Sequence, residues 1–185
     1  MAVLTWIIGL GLAVVIGLLL LVRYRRLHGV RVITCPETEQ PAAVWIRAWR
    51  AVITSIFGRP DFRLQDCSRW PERRDCGQAC LSQIAAAPEE CLIRTILTRW
   101  YAGRRCALCG KDLTETDWLH HRPAAMTAER VTFEWSEIAP EKILQALGSC
   151  FPVCWNCHIA EQFRRQFPDL ITDRPWPPGT SHRAM

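Results

Sequence analysis

The feature that most limits this chain is its beginning. Residues 3–22 carry no charge and one polar side chain, Thr5. A helix of about 20 such residues, at 1.5 Å rise, matches the roughly 30 Å hydrocarbon core of a bilayer. A cleaved secretory leader needs a basic start, a shorter apolar run and a small-residue cleavage site. Here no Lys or Arg precedes the run, and it closes on four leucines, Val22 and Arg23. The expectation is an uncleaved single-pass transmembrane helix over residues 1–22. Arg23, Arg25, Arg26 and Arg31 make residues 23–34 a basic juxtamembrane segment. The positive-inside rule then predicts an inner (cytoplasmic) membrane protein with its N-terminus outside and its soluble region cytoplasmic. Trp6 and Tyr24 fall where interfacial aromatics sit. Gly9, Ala13 and Gly17 share one helix face, a pattern that permits homo-oligomer contact in lipid.

Orientation decides how the ten cysteines are read. In a reducing cytoplasm clustered thiols hold metal more often than they form bridges. With 49% apolar and 22% charged residues the chain is no disordered polyelectrolyte. A net charge of +5, from 23 basic and 18 acidic residues, is too small to argue nucleic-acid binding by itself. Composition excludes a plain soluble enzyme with incidental cysteines. No nucleophile elbow, phosphate-binding Gly-rich loop or dinucleotide fingerprint occurs.

Beyond the anchor, the predicted fold class is a small α+β, cysteine-rich, metal-stabilised region. Residues 35–103 form a first cysteine-cluster module and 104–172 a second, with 173–185 a disordered tail. Residues 30–33 and 43–46 read as strands flanking a proline-bounded turn at Cys35–Pro41. Residues 45–57 fit either a strand extension or a short helix, and 61–74 read as loop. Asp75 predicts a helix through Cys76, Cys80 and Ile84. A second helix is expected from Pro88 or Glu89 to about Ala102. Its Cys91, Ile93, Ile96, Leu97, Trp100 and Tyr101 form an apolar stripe. Residues 131–135 read as a strand, 140–147 as a short helix and 154–167 as a helix.

In the first module, Cys76 and Cys80 lie four apart and would face one way on a helix. Cys67 approaches on the preceding loop and Cys35 from the turn. A four-thiolate site of Cys35, Cys67, Cys76 and Cys80 is predicted, with Cys91 the alternate fourth ligand. Zn²⁺ is the default, and an iron–sulfur cluster fits the same ligand type. Arg69, Arg73 and Arg74 flank the group as a solvated basic face. Eight of the nine tryptophans lie outside the anchor, where they suit small cores or partner anchors.

In the second module, Cys106-Ala-Leu-Cys109-Gly110 is a metal knuckle, and Cys154-Trp-Asn-Cys157 supplies a second pair. Four thiolates close a tetrahedral structural zinc site. Between the pairs lie His120 and His121, and His158 follows Cys157. This arrangement resembles the zinc-stabilised, treble-clef (ββα-metal) branch of the HNH endonucleases. It does so through Cys106-x-x-Cys109, His120-His121-Arg-Pro123 and Cys154-x-x-Cys157-His158, over residues 104–168. The resemblance implies that His120 and His158 hold a catalytic Mg²⁺ or Mn²⁺ and that His121 is the general base, acting on nucleic-acid phosphodiesters. The family's middle Asn has no counterpart; Ser149 or Cys150 stands near its place. An acidic stretch, Glu134-Trp-Ser-Glu137, lies in the long interval before Cys154. Cys154-x-x-Cys157-His158 also matches the c-type haem attachment motif, which would make a redox subunit. The function expected first is a membrane-anchored zinc protein whose treble clef is a non-catalytic scaffold for an unidentified protein partner.

Overall fold

The computed structural model describes residues 2–70, 72, 75–114 and 122–170. Helix α1 (Ala2–Leu27) contains the stretch Thr5–Leu27, whose most apolar 18 residues have a mean hydropathy of 2.7. It is long and apolar enough to cross a membrane, and among the described residues nothing buries its apolar window. The small-residue face is open: no other side chain approaches within 4 Å of a Cβ built at Gly9 or Gly17.

The end of α1 is fastened to the region that follows. The last carbonyls of a helix have no partner within it and need donors from elsewhere. Arg31, fully buried, supplies them: Nη2 donates to Leu27 O at 2.6 Å, Nη1 to Gly29 O at 3.1 Å and Nε to Pro88 O at 3.2 Å. Arg94 Nη2 donates to Arg26 O at 2.8 Å. Gly29 makes the turn at φ +134, where a side chain would be strained and would crowd Leu92. Arg31 therefore spends its charge inside the fold, while Arg23, Arg25 and Arg26 remain on α1 as the flanking basic residues.

The first sheet is antiparallel, ordered β1 (Arg31–Thr34), β2 (Pro41–Ile46), β3 (Leu64–Cys67). β1 and β2 are the predicted hairpin around Cys35. β3 falls in the stretch expected to be loop; it pairs Val44 with Cys67 and takes a register shift at Trp45/Ile46. Helix α2 (Ala48–Phe57) resolves the strand-or-helix alternative. Ile33, Val44, Ile46, Ala51, Phe62, Leu64 and Ile84 pack a small core with the Cys67 and Cys80 thiols.

The helix expected from Asp75 is shorter. Only α3 (Leu81–Ala86) forms, because Gly77 lies in irregular chain and Gln78 has φ 53, which stops a right-handed helix. Cys76 and Cys80 are thus not neighbours on one helix. The next helix also begins late, as α4 (Ile93–Tyr101). Leu92 is extended and bridges to Arg31, with Val32 N donating to Cys91 O at 2.9 Å and Ile93 N to Val30 O at 3.1 Å. Pairing with β1 overrides the local helical pattern.

α4 carries Leu97, Trp100 and Tyr101 into a second core with Leu113, Met126, Trp135, Ile143 and Val153. Its sheet is ordered β5 (Thr132–Glu134), β4 (Ala124–Met126), β6 (Phe151–Val153), all antiparallel. Helices α5 (Ile143–Ser149) and α6 (Trp155–Gln166) complete it. Tyr101 Oη donates to Ala124 O at 2.6 Å and accepts from Trp135 Nε1 at 2.7 Å. Trp100 Nε1 donates to Leu147 O at 3.0 Å. The tail expected at 173–185 lies outside the described residues.

Two substitutions test these ties. Tyr101→Phe should cost about 1–3 kcal/mol, since it strands the buried Trp135 N–H. Arg31→Ala should cost about 3 kcal/mol and open residues 27–31 to protease, because the carbonyls it serves lose their donors. Thermal unfolding of the detergent-solubilised chain and limited proteolysis read both effects; an unchanged midpoint would refute them.

Candidate metal centre

The two predicted knuckles converge. Sulfur atoms of Cys106, Cys109, Cys154 and Cys157 all lie within 4.8 Å of one another. The Cys109 and Cys154 sulfurs are 3.7 Å apart. Four thiolates about 2.3 Å from one ion stand about 3.8 Å from each other, so this separation is that of ligands sharing a tetrahedral centre. All ten cysteines are free thiols.

Backbone geometry explains the convergence. In the first knuckle Gly110 N donates to Cys106 O at 2.9 Å and Cys106 N to Lys111 O at 2.8 Å. Gly110 takes φ +73, a left-handed turn that a side chain would disfavour. Ala107 N donates to Pro152 O at 2.8 Å, which sets the knuckle against β6 and hence beside the second one. Cys154 stands at the N-cap of α6, with Cys157 in its first turn. The Cys154 N–H points at Cys106 Sγ, 3.3 Å away.

The thiols are unequal. Burial disfavours the Cys106 thiolate, but the N–H groups of Cys154, Cys109 and Leu108, with the Cys109 thiol, outweigh it and bring its pKa down to about 7. Burial pushes Cys154 up. Burial and then the neighbouring thiols of Cys109 and Cys154 push Cys157 well up. A cation would relieve that repulsion, and the sulfur donor set suits a soft or borderline divalent ion.

His158, on α6, is 3% exposed, and its Nδ1 has no hydrogen-bond partner among the described residues. An imidazole nitrogen lies within 4.8 Å of carboxylate oxygens of Glu134 and Glu137. That pair forms a capping box around the 3₁₀ turn at residues 135–137, Glu134 N donating to Glu137 Oε1 at 3.2 Å. Sequence reasoning noted the acidic stretch but not its nearness to His158. No local signal carries it, since α6 packing on β5 creates the juxtaposition. His120 and His121, like Arg73 and Arg74, lie outside the described residues.

In the first module Cys67 and Cys80 are buried, 8% and 7% exposed. Cys35 heads the hairpin turn, accepting from Thr38 N at 3.3 Å and Glu39 N at 2.8 Å through its carbonyl. The Thr38 hydroxyl beside it holds the Cys35 thiol below the ordinary range. Burial, then the nearness of Cys67, Cys76 and Cys35, pushes Cys80 up to about 11. The four thiols share one neighbourhood, but among the described cysteines only the C-terminal four meet within 4.8 Å. Cys91 is turned elsewhere: its thiol donates to Ala87 O at 3.5 Å and lies beside Arg31. Arg69 is engaged with Gln40 and Glu72.

No family model, curated protein or solved structure matches this chain.

Because Cys106 and Cys154 belong to the second core, a metal chelator should destabilise that module by several kcal/mol, toward the roughly 10–16 kcal/mol a structural metal supplies to small fingers. Tryptophan fluorescence during unfolding reads this. Cys106→Ser should reproduce the loss and abolish any further effect of chelator; equal stability with and without chelator would contradict it.

Proposed function

We propose that this is a single-pass membrane protein whose soluble part is a zinc-stabilised scaffold for a protein partner. The observation that carries it is the four-sulfur cluster of Cys106, Cys109, Cys154 and Cys157 at the spacing of one tetrahedral ion. An all-sulfur set leaves no open position for substrate, so its ion is structural. The order of parts supports a treble-clef reading: a knuckle, the β4–β5 hairpin, then a second knuckle that opens a helix. A second ion would be held by Cys35, Cys67, Cys76 and Cys80, whose thiols share one neighbourhood. The basic residues after the apolar stretch of α1 support a cytoplasmic soluble region.

Elemental analysis of the purified full chain is the direct test. Two zinc ions per chain are expected, with Cys157→Ser and Cys80→Ser each removing one. Metal-free protein, or iron with visible absorption, would sink the proposal.

One observation favours a second reading, a metal-dependent nuclease of the HNH type. It is the buried His158, with an unpartnered Nδ1 and two carboxylates within 4.8 Å of its ring. In that reading His158 and His120 would hold a Mg²⁺ or Mn²⁺, which supplies charge stabilisation at a phosphodiester, and His121 takes the proton of the attacking water. His121→Ala and His158→Ala should each abolish Mn²⁺-dependent DNA cleavage while leaving zinc content unchanged. Cleavage at the wild-type rate in either variant, or none in wild type, removes the nuclease reading.

A further inference from the structure

Helix α2 has two apolar faces, and the described residues cover only one. Ala48, Ala51 and Val52 are buried. Trp49, Ile53, Ile56 and Phe57 are exposed, Phe57 at 87%. Their i, i+4, i+7, i+8 spacing gathers them on one side of the helix. So large an uncovered apolar face on so short a helix marks a contact with something outside the chain.

Position says what that is. α2 packs against the end of α1, whose apolar stretch the chain also leaves uncovered. The Tyr24 and Trp49 rings meet edge-on, with centroids 6.0 Å apart. Arg23 Nη1 donates to Ser55 Oγ at 3.1 Å. Trp49 also lines one cleft with Gly17, Leu20, Leu21 and Tyr24, so its indole hangs beside the last apolar turns of α1 and not beyond them. A Tyr–Trp pair at that level matches the aromatic belt of a membrane interface.

We propose that α2 lies in the headgroup–acyl boundary of the bilayer, beside the point where α1 emerges, with Trp49, Ile53, Ile56 and Phe57 in lipid. This rests on α1 spanning the membrane. A free ten-residue helix would hold lipid weakly. Here α1 keeps it at the surface, so its insertion is an intramolecular step. Exposed Arg47 and Arg59 at its two ends suit anionic headgroups. A spanning helix plus a surface helix fixes how the cysteine modules face the membrane, which a single flexible tether would not.

The test uses the full chain reconstituted in phosphatidylcholine–phosphatidylserine nanodiscs, with photoreactive p-benzoylphenylalanine placed singly at Phe57, at Ile16 on α1 and at Phe163 on α6. All three positions are exposed, so the label disturbs no core. Adducts of one phospholipid mass are expected at Phe57 and Ile16 and none at Phe163. Lipid adducts at Ile16 but not at Phe57 overturn the placement of α2 and leave the span standing. Lipid adducts at neither position overturn both. Adducts of Phe57 with a second polypeptide reassign the face to a protein partner, and equal lipid adducts at Phe163 show indiscriminate adsorption; either result overturns the proposal.

Discussion

Four sulfur atoms converge at one point of the C-terminal module, and the small core around them cannot be understood apart from that point. Cys106 and Cys154 are core residues as much as they are candidate ligands. Burial opposes thiolate charge, while backbone N–H groups favour it at Cys106, so the cluster is poised between protons and a cation. A cation held there would resolve the conflict and link the Cys106 loop to the start of α6.

A second constraint acts at the other end. The buried guanidinium of Arg31 gathers carbonyls from α1, from the turn after it and from Pro88. Burial lowers its pKa, yet guanidinium keeps its proton in proteins, and three carbonyls replace the water it gives up. Together with Arg94 it makes the α1 terminus part of the fold that follows. These bonds tie the end of α1 to the segment that enters the first sheet, and α2 packs against α1.

The two candidate ion sites differ in how they are built. The C-terminal four come from two short loops, each shaped by its own turn, and set side by side by one backbone bond between Ala107 and Pro152. The N-terminal four come from a hairpin turn, a strand end, an irregular segment and a helix start. Gathering them takes the whole first sheet, which accounts for their looser spacing. His158 follows Cys157 on α6 and has a ring nitrogen within 4.8 Å of the carboxylates of Glu134 and Glu137, so any chemistry there would share a helix turn with the candidate ligands.

Features written in local pattern were legible in the sequence. The apolar run of α1, the hairpin around Cys35, the Cys-x-x-Cys knuckles and the helix from Trp155 each depend on residues a few positions apart. Strands β3, β4 and β6 were not legible, because three or four residues become a strand only when a distant partner supplies the ladder. A distant partner also shortened one predicted helix, since Leu92 pairs with Arg31 in place of continuing α4 toward Pro88; the other is cut locally, by a left-handed Gln78 that separates Cys76 from α3. Sequence by itself determined which residues could ligate, span or turn, since those capacities belong to side chains and their near neighbours. Tertiary structure alone decided which thiols meet, which carboxylates face His158 and which face of α2 stays bare, since each depends on segments that are far apart along the chain and adjacent only in the folded molecule.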